Sequence, residues 1–412
     1  MALHNLRLYM IRSRRHLRRS AGKAPCVKVT QICAGRFHHF DLARQLTRHG
    51  VLDAFFSGYP ASRLVAEGLQ PQLTKPFPYV FMPYLGLLRL GRCGARLQQA
   101  MFWQAQQTLD KFAAARLPHS DCLIAFSGCG LHAGRAAQEQ GMRYVCDEAG
   151  AHIAYRDRVL TEEYRHYDAQ FPGLHPRLLA KELDEYQQAD IITVPSEFVA
   201  QTFVEMGVPR EKLRKVPYGV DLRRFSKVSD PPRATFEIAF VGEVSVRKGV
   251  RYLLEAFRRL KHPAKRLTVV GAVAPVVRNW LASNPPPDDV RFMGHVPQIR
   301  LKHILSRSHA MLMPSVEEGL ALVQGQALAC GCPVVATWNT GAADLFTDGQ
   351  EGFIVPARDA SAMADRLQQL ADDPTLRAGM SAAALRRVAE LGGTDRYGDR
   401  MVATLKAASA SF

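Results

Sequence analysis

Short apolar runs alternate with amphipathic stretches along almost the whole chain, in two series either side of a proline-rich seam at SDPPR (229–233). In the first series, 27–33, 121–127, 144–147 and 191–195 read as strands. Residues 40–49, 130–140 and 198–206 read as helices, and 158–190 as a long helical stretch interrupted at FPG (171–173). Gly50 stops the first helix and Ser196 caps the one after the last strand. In the second series, 237–241, 267–271, 290–293, 310–314 and 333–337 are strands with helices between them. Val250, Leu253, Leu254, Phe257 and Leu260 recur at helical spacing, so that helix lays one face on a sheet. Strands separated by helices demand parallel sheets and right-handed crossovers. The expected fold is therefore α/β: two doubly wound, Rossmann-like domains facing an interdomain cleft. The expected boundaries are an arm at 1–24, domains at 25–215 and 216–393, and a C-terminal helix at 394–412 that crosses back to the first domain.

Composition removes several other classes. Of 412 residues, 47% are hydrophobic and 22% charged, a globular balance. No apolar run approaches the length of a membrane span. The eight cysteines form no paired framework, and CGC at 330–332 is too tight for zinc spacing, which suits a reducing compartment and a cytoplasmic protein. The formal charge is +16. Arg7, Arg12, Arg14, Arg15, Arg18, Arg19 and Lys23 lie in the first 24 residues, which contain no acid. That arm reads as a solvated tail, a transit-like segment or a basic helix on anionic lipid. It lacks interleaved aromatics and no nucleic-acid module follows it, so nucleic acid is not the expected partner.

Ligands of open parallel sheets bind at the carboxyl ends of strands. The strand 237–241 runs into GEVSVRKG (242–249), where Gly242 permits close backbone approach and Arg247 and Lys248 precede a helix N-terminus. Two fixed cations at a positive dipole end suit a diphosphate. After 310–314, Glu317 and Glu318 lie in a loop, and Gly319 is expected to open a helix of about ten residues. Glu318 and Gln326 would then stand roughly 12 Å apart along it, with amides near Leu320, Ala321 and Leu322 facing phosphates.

These stretches resemble one family. VPSEFV (194–199), VPYGVDLRRF (216–225), FVGEVSVRKGVRYLLEAF (240–257), VRFMGHVP (290–297), MPSVEEGLALVQGQALACGCPVVAT (313–337), TGAADL (340–345) and DGQEGFIVP (348–356) follow the order of the GT-B retaining glycosyltransferases called family 4. The likeness covers most of 190–390 and is weaker upstream. It implies that the first domain binds acceptor and the second a nucleotide sugar, a UDP-sugar or GDP-sugar, with no cofactor. By position, Arg247 and Lys248 would grip the diphosphate and Glu318 would contact the transferred sugar. Gln326 stands where the family usually has a second Glu on the ribose, and loses its charge. Gly35 in ICAGRFHHF (32–40) falls at the glycine-containing first loop, and His152 in CDEAGAHI (146–153) at the histidine that touches the sugar near its C6 hydroxyl.

The resemblance further implies transfer with retention onto an acceptor hydroxyl. The basic arm and the basic total charge suit a glycan or lipid-linked acceptor at the inner face of the cytoplasmic membrane, and the expected setting is assembly of surface polysaccharide or lipopolysaccharide. No Asp-x-Asp cluster suggests a metal site. Two rivals remain. Gln326 leaves room for a non-catalytic protein that binds sugar nucleotide or polysaccharide. FSGCGLHAG (126–134), with Asp147 and Glu148 downstream, imitates the dinucleotide loop of an NAD-dependent oxidoreductase, although its spacing is GxGxxxG.

Overall fold

The computed structural model describes residues 27–90, 94–220 and 224–410. The basic arm lies outside them. In the first domain the strands are β1 (Val29–Cys33), β2 (Leu52–Ser57), β3 (Thr74–Pro76), β4 (Cys122–Phe126), β5 (Arg143–Asp147), β6 (Ile191–Val194) and β7 (Leu213–Lys215). They form one sheet in the order β3-β2-β1-β4-β5-β6-β7, every pair parallel. The second domain contains β8 (Phe236–Val241), β9 (Lys265–Val270), β10 (Val290–Gly294), β11 (Ala310–Met313), β12 (Val334–Thr337) and β13 (Gly352–Val355). Its sheet runs β10-β9-β8-β11-β12-β13, again all parallel. In both sheets the order reverses beside the first strand, leaving a crevice at the carboxyl edge.

Central strands of such sheets are covered on both faces, so they read as continuous apolar runs. β4, β11 and β12 accordingly bury nearly every residue. The helix Val250–Arg259 buries Val250, Leu253, Leu254 and Phe257, the stripe read from its spacing. Each such side chain contributes on the order of 2 kcal/mol when fully buried. Gly50 ends the helix His39–Arg48 at φ 66°, and Ser196 Oγ accepts the Val199 N–H at 3.3 Å. The long helical stretch resolves into Ile153–Arg165 and Pro176–Gln188, on either side of FPG.

The helix Gly393–Ala410 returns to the first domain. Tyr397, Met401, Val402 and Leu405 join a core with Val29, Phe40, Leu42 and Ile124. Conversely, Val159 and Tyr167 of the first domain enter the core of the second. The domains are thus packed edge to edge around the cleft. Among the described residues, no helix is long and apolar enough to cross a membrane, and the six described cysteines are free and buried.

Candidate active site

The second domain's wall of the cleft is built by two loops at the carboxyl ends of β8 and β11. Gly249, at φ 69°, turns the first loop into its helix, and a Cβ there would lie 2.0 Å from Pro314 O. Only glycine lets these loops touch. The second loop is held carbonyl by carbonyl. Thr337 Oγ1 donates to Ser315 O (2.6 Å), Asn339 Nδ2 to Val316 O (2.7 Å) and Arg247 Nη1 to Glu317 O (3.2 Å). Glu318 is thereby presented on a rigid support.

Lys248 Nζ pairs with Glu318 Oε2, and Arg247 Nη1 approaches the same oxygen at 3.2 Å. Lys248 is nearly buried, while Arg247 keeps a third of its side chain in solvent. Burial raises the Glu318 pKa, but Arg247 and then Lys248 outweigh it and hold the carboxyl below its usual range. A Cβ on Gly242 would sit 3.5 Å from Lys248 Cε, so the exit of β8 closes directly onto the lysine.

Gly319 does not open the helix. The helix is Leu322–Ala329, and Ala321 precedes it in extended conformation. The Ala321 N–H donates to Thr340 O at 3.1 Å and is unavailable to a phosphate. Leu320 is buried. Among the described residues, the Leu322 and Val323 amides are the ones left open at this helix end. Glu318 and Gln326 therefore do not share a helix, and the 12 Å spacing reckoned from helical rise does not hold. The cause is contact across the cleft: a Cβ on Gly319 would be 1.7 Å from Ala149 O, so these residues run flat against the first domain.

Gln326 faces a cavity of about 730 Å³ whose walls come from both domains, among them Arg36, Gly219, Arg224, Gln298 and Leu322. Gly35 stands next to Arg36 at that rim, where a Cβ would strike the Phe37 ring at 2.6 Å. Structure and sequence reading thus agree in bringing the Gly35 loop, Gln326 and the Leu322 helix end to one cleft.

His152 differs from expectation. Its backbone N–H donates to Thr202 Oγ1 (3.0 Å), its Nδ1 accepts the Ala154 N–H (3.3 Å), and its ring packs on Tyr186 and Phe203. The cavity it lines is walled entirely by first-domain residues. Burial pushes its pKa down to about 4, which keeps the imidazole neutral as a helix cap.

Several cleft residues were given no part in the site by the sequence. Glu317 is buried, and its Oε1 accepts the Ala151 N–H from the first domain at 3.1 Å. Ser196, read only as a cap, also donates to Gly319 O across the seam at 2.6 Å. Asp344 accepts the Glu197 N–H (2.7 Å) and pairs with Lys215 Nζ (2.7 Å). Behind them, Glu148 Oε1 folds back onto the Ala149 and Gly150 amides at 2.9 Å each, shaping the turn that meets Gly319.

Asp147 collects His38 Nε2 at 2.6 Å and His39 Nε2 at 3.0 Å. Burial raises the Asp147 pKa, yet the charge and hydrogen bonds of His38, then of His39, hold it well below the usual range. These three side chains form the one group among the described residues that could hold a metal ion, and the sequence reading did not foresee it. Its 2.6 Å contact is a charge-assisted hydrogen-bond length.

The dinucleotide-like loop is occupied from within. The Gly128 and Gly130 amides donate to Glu185 (2.5 and 2.8 Å), and the His132 and Ala133 amides donate to Asp110 (3.0 and 2.8 Å). The N–H groups that would cradle a pyrophosphate are thus spent on carboxylates of the domain's own helices. The oxidoreductase reading loses its site.

Comparison with known proteins agrees with this geometry. The profile of the glycosyl transferases group 1 matches residues 235–373, and that of glycosyltransferase family 4 matches 38–224. WcaL of Escherichia coli, assigned as a colanic acid biosynthesis glycosyltransferase, is 32% identical over 198 residues, 44% of this chain and 49% of WcaL. The amylovoran biosynthesis glycosyltransferase AmsK of Erwinia amylovora is 27% identical over 232 residues, 54% of this chain and 53% of AmsK. The chain thus matches about half the length of these curated relatives. Among solved structures, the Anabaena protein HepE in complex with UDP superposes with a TM-score of 0.65 at 14% identity, over 92% of this chain and 100% of that one. Sucrose-phosphate synthase of Thermosynechococcus elongatus gives 0.67 at 18%, over 94% and 100%.

Proposed function

The chain belongs to the group 1 glycosyltransferases with the GT-B fold, and from that premise we propose that it moves a sugar from a nucleotide diphosphate to a hydroxyl of a glycan or lipid-linked acceptor, with retention of configuration, in surface polysaccharide or lipopolysaccharide assembly. The observation that carries the reading is the convergence of Arg247 and Lys248 on Glu318, beside the seam where Glu317 and Gly319 meet Ala151 and Ala149 of the first domain. In such a transfer the barrier lies in breaking the anomeric C–O bond while negative charge moves onto the diphosphate. Two fixed cations in a half-dry cleft stabilise that charge without reorganisation. The open Leu322 and Val323 amides add the positive end of a helix.

Glu318, held ionised by both cations, orients the sugar through its hydroxyls. Gln326 meets the ribose, its amide oxygen accepting where a carboxylate would accept more strongly. Gly35 and Arg36 close the other side. The seam made by Ala151 with Glu317, and by Ser196 with Gly319, keeps water from the donor. The relatives in colanic acid and amylovoran synthesis support a polysaccharide setting, and HepE, which shares this fold and is solved in complex with UDP, supports a nucleotide-sugar donor.

The test is a panel of UDP- and GDP-sugars. One should raise the melting temperature and release its nucleotide slowly without acceptor. Retention is then read from the anomeric NMR coupling of the product. Stabilisation with no nucleotide release, even with glycan acceptors supplied, would favour the binding-protein reading that Gln326 permits. No stabilisation by any of them would sink both.

A further inference from the structure

The helix Phe81–Leu90, FMPYLGLLRL, is apolar around nearly its whole circumference, a composition that ordinarily marks a buried helix. Here it lies on the surface. Phe81 is buried and touches Tyr59 (ring centroids 5.4 Å), and Tyr84 meets Phe102 of the next helix, Ala95–Ala114 (5.5 Å). Part of its surface is left without cover: Met82 and Leu88 are each 36% exposed, Tyr79 just before the helix is 75% exposed, and Leu97 on the next helix is 51% exposed. Large apolar side chains gathered in this way mark an interaction surface.

Charge narrows the partner. The sequence contains no acid anywhere in 68–109. Lys75, Arg89 and Arg96 are exposed on the same elements, and none has an ion-pair partner among the described residues. Several other surface arginines of this domain are matched by acids, as Arg63 is by Glu67 at 3.3 Å and Arg158 by Glu205 at 2.5 Å. Apolar side chains ringed by unmatched cations fit the boundary of an anionic bilayer, where the former enter the acyl region and the latter stay among headgroups.

The surface also lies beside the cleft. At Gly58, which follows β2, a Cβ would be 2.7 Å from Ala34 O and 2.8 Å from Phe81 Cβ. The apolar helix therefore starts next to the Gly35 loop, on the first-domain rim.

We propose that Tyr79, the helix Phe81–Leu90 and the start of the helix Ala95–Ala114 form a docking surface for anionic bilayers, which sets the first-domain rim against lipid. Its use in catalysis rests on the lipid-linked acceptor proposed above; the docking itself does not.

The test is flotation of the full chain with phosphatidylcholine vesicles, with and without phosphatidylglycerol. The wild type should float with the anionic vesicles. The double variant Leu88→Glu/Leu97→Glu should lose about tenfold or more in partitioning, since each leucine removed from the interface forfeits its transfer free energy. Its melting temperature should fall by no more than about a few degrees, since Leu97 is 51% and Leu88 36% exposed, and its stabilisation by UDP should stay at the wild-type value. A chain lacking residues 1–24 should keep the part of the binding that the double variant loses. Equal binding of wild type and double variant overturns the proposal, as does a wild type that ignores anionic vesicles. A wild-type dimer that the double variant dissolves, without vesicle binding, would overturn it in favour of a second copy. Vesicle binding that survives in a protein stabilised by no sugar nucleotide would leave this surface standing and sink the transferase reading alone.

Discussion

Replacing Lys248 by Ala separates a catalytic cation from a merely structural one. The Nζ is nearly buried against Glu318 Oε2, and Arg247 Nη1 remains 3.2 Å from that oxygen after the change. Breaking a buried pair outright costs about 3–5 kcal/mol. With one cation still in place the loss should be nearer the value of a charged hydrogen bond, about 1.5–3 kcal/mol. A fall in melting temperature of a few degrees follows. The effect on turnover should be larger. Removing one preorganised group that faces developing negative charge costs about 2.7–4 kcal/mol, or about 10²–10³ in kcat. UDP already carries its charge, so its affinity should weaken less, about tenfold. Initial rates of nucleotide release, UDP titration by calorimetry and a melting curve give the three numbers. The pH dependence supplies a further signature. Glu318 titrates below its ordinary 4.5 in the folded state, so its stabilisation is present above that value and lost as pH falls through the folded one. The stability gap between wild type and variant should therefore close on acidification. A variant that loses stability but keeps kcat within about threefold and UDP affinity unchanged would refute the diphosphate role, because preorganised charge cannot be removed from a leaving group so cheaply.

Three other outcomes follow from particular contacts. Gln326→Glu places a carboxylate in the shared cavity and should tighten UDP binding about three- to tenfold if the ribose lies there; calorimetry showing equal or weaker binding would remove the residue from the donor site. Gly319→Ala sets a methyl 1.7 Å from Ala149 O across the domain seam. It should cut kcat about a hundredfold or more and enlarge the radius of gyration in solution scattering, and wild-type turnover would refute the closed seam. Glu185 is pushed up to about 8, by burial first and by Asp110, against the opposing charge of Lys181 and the Gly128 and Gly130 amides. Its folded value lies above the ordinary 4.5, so its contribution is present below pH 4.5 and lost as pH rises toward 8. In melting curves Glu185→Gln should flatten the decline over that window, and an unchanged slope would place the proton elsewhere.

What could be read in advance, and what could not, follows from how far each signal reaches along the chain. The stripe Val250, Leu253, Leu254, Phe257 lies on one face of one helix, so its periodicity is local and the structure reproduces it. The strands β3 and β7, of three residues each, are too short to show any period and exist because a neighbouring strand offers hydrogen bonds. Arg247, Lys248 and Glu318 were readable because each sits at the carboxyl end of a strand, a place the sheet itself makes important. Glu317, the immediate neighbour of Glu318, was not. Its partner is the Ala151 amide, 166 residues away in the other domain, and an amide leaves no trace in sequence. The same separation explains the error at Gly319, where glycine looked like a helix opener but serves to let Ala149 O approach from across the cleft. His152 fails in the opposite sense. It follows a strand end, as a ligand residue would, yet Tyr186 and Phe203 pack its ring within the first domain. Strand ends nominate residues, and only contacts across the two domains decide among them. An exposed apolar helix such as Phe81–Leu90 is different again: its sequence is that of a core element, and its meaning appears only when the surrounding fold leaves part of it uncovered.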